Sequence, residues 1–333
     1  MDTWRKQLKY DPLPPLLASG NKALLYFTRR DLLGEDAGPV SCLWELPEAQ
    51  RILKKQLPQG SWPTARKSKH EAINHRLIET WRHFRFLVEQ FGFTRDHPKV
   101  ERAAEFMFSC QTQAGDIRGI LANQYATYYT GAIMASLIQA GYGEDLRIER
   151  GFHWLLSMRQ SDQGWTIPIL THKLDRATQY RLTSQHAEPV EPDRARPFSH
   201  NWTGMVLRAF AVHQEYRSSE AAWIAGNLLK SRFFQQDAYS SYKAASYWVR
   251  FEYPFWWNNL LSALDSLSLI GFTMTDAQIQ QALDWFQDNQ EASGLWKVTY
   301  AKPDEMEKDT ARFRERKLWV SLAICRVFRR FYI

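Results

Sequence analysis

The feature that most constrains this chain is a spacing. Gly92-Phe93, Gly141-Tyr142 and Gly271-Phe272 each precede a second glycine, Gly115, Gly164 and Gly294, by 23 residues. Equal spacing at three separate places marks an internal repeat, and the repeat decides the architecture before any composition is considered. Each unit opens on a helix-start signal, Asp96-His97-Pro98, Glu144-Asp145 or Thr275-Asp276. An amphipathic run follows, such as Val100, Ala103, Ala104 and Met107, or Ile279, Leu283 and Phe286. Each unit closes on a related signature: Gln111-Thr-Gln-Ala-Gly115, Gln160-Ser-Asp-Gln-Gly164-Trp165 and Gln290-Glu-Ala-Ser-Gly294-Leu-Trp296. Gln56-Leu-Pro-Gln-Gly60-Ser-Trp62 is an earlier copy, and a worn one runs from Gln214 through Trp223 to Gln235 and Tyr239.

A more apolar helix is expected before each Gly-aromatic turn, over 77–91, 126–140, 202–213 and 256–270, with 318–331 closing the series. Helix pairs of alternating hydrophobicity cannot bury their faces alone and must stack. With the apolar member inward and the amphipathic member outward, the expected fold is all-α, an α/α toroid of about five helix pairs plus a closing helix. An open solenoid is the alternative. The 333 residues then form a single domain, with 1–20 as an N-terminal extension and 171–199 as a long polar loop or lid.

Three scattered cysteines, Cys42, Cys110 and Cys325, exclude a disulfide scaffold or a cysteine zinc cage. The uncharged stretch 119–143 carries Asn123, Gln124, Thr127, Thr130, Ser136 and Gln139, so a buried helix is expected there rather than a membrane span. The N-terminus lacks an apolar core or a small-residue cleavage site, which makes the cytoplasm the expected location. The net charge of +7 comes from one window, 51–102, which a polyanion or acidic partner would recognise unless it is simply a solvated face.

The Gln-x-x-x-Gly-x-Trp signature, with a preceding Phe106, Trp154 or Trp285, resembles the QW repeat of squalene and terpenoid cyclases and of protein prenyltransferase β subunits. The stretch from Ala23 to Leu33, the Trp81 helix and the unit from Tyr142 to Trp165 are similar to small stand-alone proteins labelled prenyltransferase or squalene-oxidase-repeat proteins. The resemblance implies the toroid and an isoprenoid-type apolar ligand. The family's reactions do not carry over with it. No Asp-x-Asp-Asp acid occurs, and Val40, Phe108 and Ala323 stand two residues before the cysteines, where the zinc-binding Asp-x-Cys requires aspartate. No cofactor and no metal is expected. The Gln and Trp residues of the signature read as joints between helix pairs, not as chemistry.

Loop length points to a mouth. The turns after the inner helices are short, whereas the returning connections 61–73, 116–124, 165–199, 240–254 and 295–311 are long and share one end of the ring. Residues expected just inside that mouth are Tyr125, Tyr129, Asn201, Trp202, Trp248, Trp256, Trp257 and Asn258, as walls of an aromatic cavity for an apolar ligand. The candidate acids or bases, for an acid-initiated isomerisation or cyclisation of that ligand, are Asp116, His172, Asp175, His200 and Glu252. Two other readings stay open: a polysaccharide lyase or glycoside hydrolase on the same fold, needing paired carboxylates in an open groove, and a noncatalytic scaffold using the basic 51–102 surface. Oligomeric state is not legible in the sequence.

Overall fold

A computed structural model describes residues 3–64, 73–184, 187–239, 244–298 and 309–332. Among them no strand forms, and the architecture is an all-α α/α toroid. Six helices make the inner ring: α2 (Lys22–Thr28), α4 (Ile73–Phe91), α6 (Thr127–Leu137), α9 (His200–Val212), α11 (Leu260–Ile270) and α13 (Ala311–Phe331). Each packs on the next, and α13 returns to α2, which in turn meets α4, so the ring is closed. The outer members are α1 (Leu13–Leu17), α3 (Pro47–Leu53), α5 (Pro98–Ser109), α7 (Leu146–Ser157), α10 (Glu220–Lys230) and α12 (Ala277–Asp288). One further helix, α8 (Arg176–Leu182), lies in the long insertion. The closed ring excludes the open solenoid.

The hydrophobic pattern explains the two layers. Every residue of α6 is buried, as suits an inner helix with a neighbour on each side, and none of the described helices is long and apolar enough to cross a membrane. The outer α5 and α7 are amphipathic and bury one stripe, Val100, Ala103, Ala104 and Met107 in α5, while their charged faces meet water.

The glutamine turns lock neighbouring outer helices together. Gln56 and Gln111 each donate from Nε2 to the carbonyl of their own turn glycine, both at 2.9 Å. The same amides reach the start of the next outer helix, at the carbonyls of Lys99 (2.7 Å) and Arg147 (2.8 Å). Each turn also forces a glycine. At Gly115 φ is +111°, and an added Cβ would lie 2.4 Å from the Arg150 carbonyl oxygen, so both the backbone conformation and the approach of α7 exclude a side chain. The indole N–H of Trp62, Trp165 and Trp296 bonds the carbonyl ten residues earlier, on the outer helix it follows. The backbone N–H of Trp62, Ile117, Trp165 and Trp296 donates to a hydroxyl on the next inner helix, from Thr80, Thr130, Thr203 or Ser321.

Two expectations need correction. The ring has six helix pairs rather than five and a closing helix. Its sixth pair is α2 with α1, the latter from residues 1–20, expected to be an extension: Trp4 and Leu16 are buried, and Gln290 bonds Tyr10 where Gln56 and Gln111 bond the next outer helix. The helix expected over 256–270 starts only at Leu260, because the Asn259 side chain caps it by accepting from Ser262 N–H, in a capping box. The polar segment 171–199, expected as a long polar loop or lid, is tied to the turn before it through described residues. Gln160 donates to the carbonyls of Asp193 (2.8 Å) and Arg196 (2.9 Å), so the insertion takes the place that the next outer helix fills elsewhere.

Candidate functional site: an arginine-lined cavity

Among the described residues, aromatic side chains pack together at one end of the ring and a cavity opens at the other. At the long-loop end the expected aromatics do come together, but on one another. Trp81 packs on Trp256 at 4.6 Å between ring centroids and edge-on to Tyr129 at 5.9 Å; Tyr128 packs on Trp202 at 4.6 Å, and Trp202 on Trp257 at 5.8 Å. Asn258 donates to the His200 carbonyl, and its carboxamide occupies the space beside Gly204. These side chains thus pack against one another across the inner helices.

A cavity of about 610 Å³ lies at the opposite, short-turn end, among the C-terminal halves of the inner helices. None of the thirteen expected site residues lines it. Asp116 is fully buried, paired with Arg118 Nε at 2.5 Å and bonded by Thr112, which holds its loop. His172 Nε2 meets the Glu191 carbonyl at 2.8 Å. Asp175 is an exposed N-cap of α8, its carboxyl held below the ordinary range chiefly by the Thr178 N–H and hydroxyl. Tyr125 bonds Glu191 from its hydroxyl. Trp248 stacks on His200 at 4.6 Å and donates to the Gln235 carbonyl.

His200 lies 3.5 Å from Asp237, yet burial depresses its pKa to about 4, so at neutral pH the imidazole is uncharged and the contact is no ion pair. Asp237 accepts instead from the Ser199 hydroxyl at 2.7 Å and the Asn201 N–H at 3.3 Å, at the start of α9. The serine bonds the aspartate rather than the histidine, so the trio caps a helix and does not form a nucleophile with its base. Glu252 is pushed up by burial and accepts from the Trp257 N–H.

The cavity wall itself is charged. Trp81, Val88, Phe255 and Leu269 supply apolar surface, and six arginines, Arg30, Arg85, Arg208, Arg326, Arg329 and Arg330, face only three carboxylates, Asp31, Glu89 and Asp265. Asp31 pairs with Arg30 and Arg326, each at 2.6 Å; burial raises its pKa, but the Arg326 and Arg30 charges outweigh that and lower it overall. Asp265 pairs with Arg330.

Arg85 and Arg208 are different. Both are buried, and neither forms an ion pair among the described residues. Arg85 donates to the Phe255 carbonyl and sits over Trp256 at 4.8 Å and Trp81 at 5.3 Å. Arg208 donates to the carbonyls of Phe255 (3.2 Å), Trp256 (3.1 Å) and Trp257 (2.7 Å). The Nε of each is buried without a hydrogen-bond partner. Burial lowers the pKa of Arg208 to about 10, which leaves it cationic at neutral pH. The Glu89 carboxylate, one turn after Arg85 on α4, accepts no hydrogen bond among the described residues, and burial lifts its pKa to about 7 against the pull of Arg85 and Arg208.

Among the described residues, several cations of the basic window are already engaged. Arg85 turns into the ring, Lys99 donates to the Leu53 carbonyl, Arg51 and Arg82 pair with Glu48 and Glu79, and 65–72 lie outside the described residues. No cluster of metal-ligating side chains occurs among the described residues.

No protein-family model and no curated protein matches the chain. Solved structures similar to it include a protein from Actinoplanes (TM-score 0.43, 16% identity, 87% of each chain covered). They also include the type II terpene cyclase MstE from Scytonema (TM-score 0.31, 11% identity, 84% of this chain and 94% of that one). A variant of that cyclase in complex with geranylgeranyl dihydroxybenzoate is similar to the same degree (TM-score 0.32, 12% identity, 84% and 93%). The fold assignment rests on the closed contacts of the ring itself. What fold and site define is an α/α toroid with a cationic central cavity.

Proposed function

We propose that this toroid binds an amphiphilic anion of isoprenoid type, an apolar body carrying an anionic head, in the short-turn end of the ring. The expectation of a purely apolar ligand is thereby revised. One observation carries the reading: Arg85 and Arg208 are buried cations with neutral hydrogen-bond partners only. A buried charge is costly unless it is balanced; these two arginines share Glu89 as the nearest acting carboxylate of the cavity, and an entering head group adds the negative charge they lack while the rings and aliphatic side chains cover its body. The cavity volume falls in the range of small-molecule sites. The glycan-processing alternative is not favoured, because Asp31 and Asp265 are already tied to arginines. The proposal is for binding and assigns no bond-making step.

Titration of the purified protein with geranyl diphosphate, geraniol and inorganic diphosphate tests it. The expected order is geranyl diphosphate tightest, with an affinity that falls as salt rises, and geraniol weakest. Equal binding of geraniol, or no binding of any of the three, overturns the proposal.

A further inference from the structure

Resting on that reading of the cavity, we infer that Glu89 is the resident counter-anion of Arg85 and Arg208, and that an anion entering the cavity displaces this role and leaves Glu89 protonated. Ligand binding is then coupled to uptake of one proton from solvent by the Glu89 carboxylate, with no other bond made or broken.

The placement supports this. Glu89 lines the cavity four residues after Arg85 on the same helix, and no hydrogen bond fixes its carboxylate among the described residues. The charges that act on it come from its own helix (Arg85), from α9 (Arg208), from α11 (Asp265) and from α13 (Arg326). Tyr253 donates to the Glu89 backbone carbonyl at 3.2 Å, so its hydroxyl is engaged with the main chain. Beyond α2, Asp31 holds Arg30 and Arg326, while α6 gives the cavity only Ala132, Ala135 and Ser136, which carry no charge. Asp31 and Asp265 have arginines of their own; Glu89 is the cavity-lining carboxylate that acts most strongly on the two that lack an ion pair, with Glu252, outside the lining, acting less on both. A second anion beside Arg85 and Arg208 repels the Glu89 carboxylate and takes over their attraction, and both effects favour its neutral form. The carboxyl already titrates near neutrality in the empty cavity, at about 7, so a modest added repulsion completes the protonation.

The test uses geranate, whose carboxylate stays ionised at and above neutral pH, and follows binding calorimetrically from pH 7 to 8.5 in buffers of different ionisation heat. Proton uptake is expected to approach one per ligand at the alkaline end. Affinity falls by up to about tenfold per pH unit there, the limit set by one coupled proton. In Glu89→Gln the uptake vanishes and the affinity at pH 8.5 exceeds that of the wild type. Infrared difference spectra of the wild type give a second readout that needs no variant: geranate binding should add the band of a protonated carboxyl group. Geranate bound with equal affinity at pH 7 and 8.5 and without proton uptake overturns the inference but leaves the binding reading intact, as does uptake that persists in Glu89→Gln. Geranate that fails to bind at any pH overturns both.

Discussion

Gln290 holds both backbone groups of Tyr10: its Nε2 donates to the Tyr10 carbonyl at 2.9 Å and its Oε1 accepts from the Tyr10 N–H at 3.0 Å. Two hydrogen bonds to one residue, 280 positions away along the chain, join the last turn of the ring to its first. Gln290→Ala orphans both groups, for an expected loss of about 1–3 kcal/mol, since an unmade buried hydrogen bond costs more than a formed one contributes. Gln281→Ala, on the exposed side of α12, should be neutral. Trypsin gives the sharper readout. In Gln290→Ala the sites at Arg5, Lys6 and Lys9 should be cut faster than in the wild type. Unchanged cleavage and stability would mean that the ring closes without this clasp.

The turn glycines should sort by what a Cβ would meet. In Gly60→Ala, Gly115→Ala and Gly294→Ala the new carbon would fall 2.1, 2.4 and 2.3 Å from the carbonyl oxygens of Arg102, Arg150 and Asp11, at φ values of +89°, +111° and +79°. Backbone cannot yield as a side-chain tip can, so each should cost more than the about 1 kcal/mol of an ordinary unfavourable backbone change. Gly20→Ala meets nothing within 4 Å at an exposed position and should lie within about 0.5 kcal/mol of wild type. Denaturation midpoints of the four variants decide the matter, and a Gly294→Ala as stable as Gly20→Ala would contradict the packing described for the ring joint.

The reach of sequence reasoning follows from these joints. Gln, Gly and Trp at fixed separations are required by turn geometry, so the stacked helix pairs were legible from spacing and hydrophobic pattern, while closure of the ring shows only in the contact of α13 with α2. The sixth pair was not, because α1 has only five residues and no glutamine turn stands between it and α2. The aromatics at the long-loop end pack on one another, and sequence cannot distinguish rings that line a space from rings that pack together. The cavity had a usable signal that was missed. Arg208 is the only Lys, Arg, Asp or Glu in α9, and Asp265 the only one in α11. A lone charge in an apolar inner helix must find a partner or a cavity. Loop length pointed to the other end because the long connections serve the insertion and the joints, as Gln160 shows with Asp193 and Arg196.

Stability against pH should carry two opposed slopes. Glu89 titrates near 7 when folded against an ordinary glutamate value of 4.5, so the folded state holds more protons across that interval and stability falls as pH rises through it. His200 titrates near 4 when folded against 6.5, so the unfolded state holds more protons there and stability falls as pH drops from 6.5. Each shift corresponds to about 3 kcal/mol at most, and between pH 4.5 and 6.5 the two largely cancel. Glu89→Gln should therefore become more acid-sensitive than wild type below pH 6.5, and more stable than wild type above pH 7. His200→Gln loses its stacking on Trp248, so its slope rather than its absolute stability is the readout: stability should fall as pH rises from 4.5 to 7. Denaturant titrations at half-unit pH steps check both. Two variants with wild-type pH profiles would remove the basis for assigning either titration.

Two neighbours on α6 separate packing from cavity. A Cβ on Gly131 would lie 2.6 Å from Val206 Cα and 3.2 Å from the Met205 carbonyl oxygen, where α6 and α9 approach backbone to backbone. Gly131→Ala should push the two inner helices apart, at a cost of about 1–3 kcal/mol, the usual range for overpacking. Ala135, one turn further along, lines the cavity instead. Ala135→Phe adds its ring to open space, so stability should stay within about 1 kcal/mol of wild type while the volume left for a ligand shrinks. Geranyl diphosphate affinity should then drop at least tenfold in Ala135→Phe, about 1.4 kcal/mol in binding free energy. A folded Ala135→Phe that binds geranyl diphosphate as tightly as wild type would place the ligand outside the short-turn cavity.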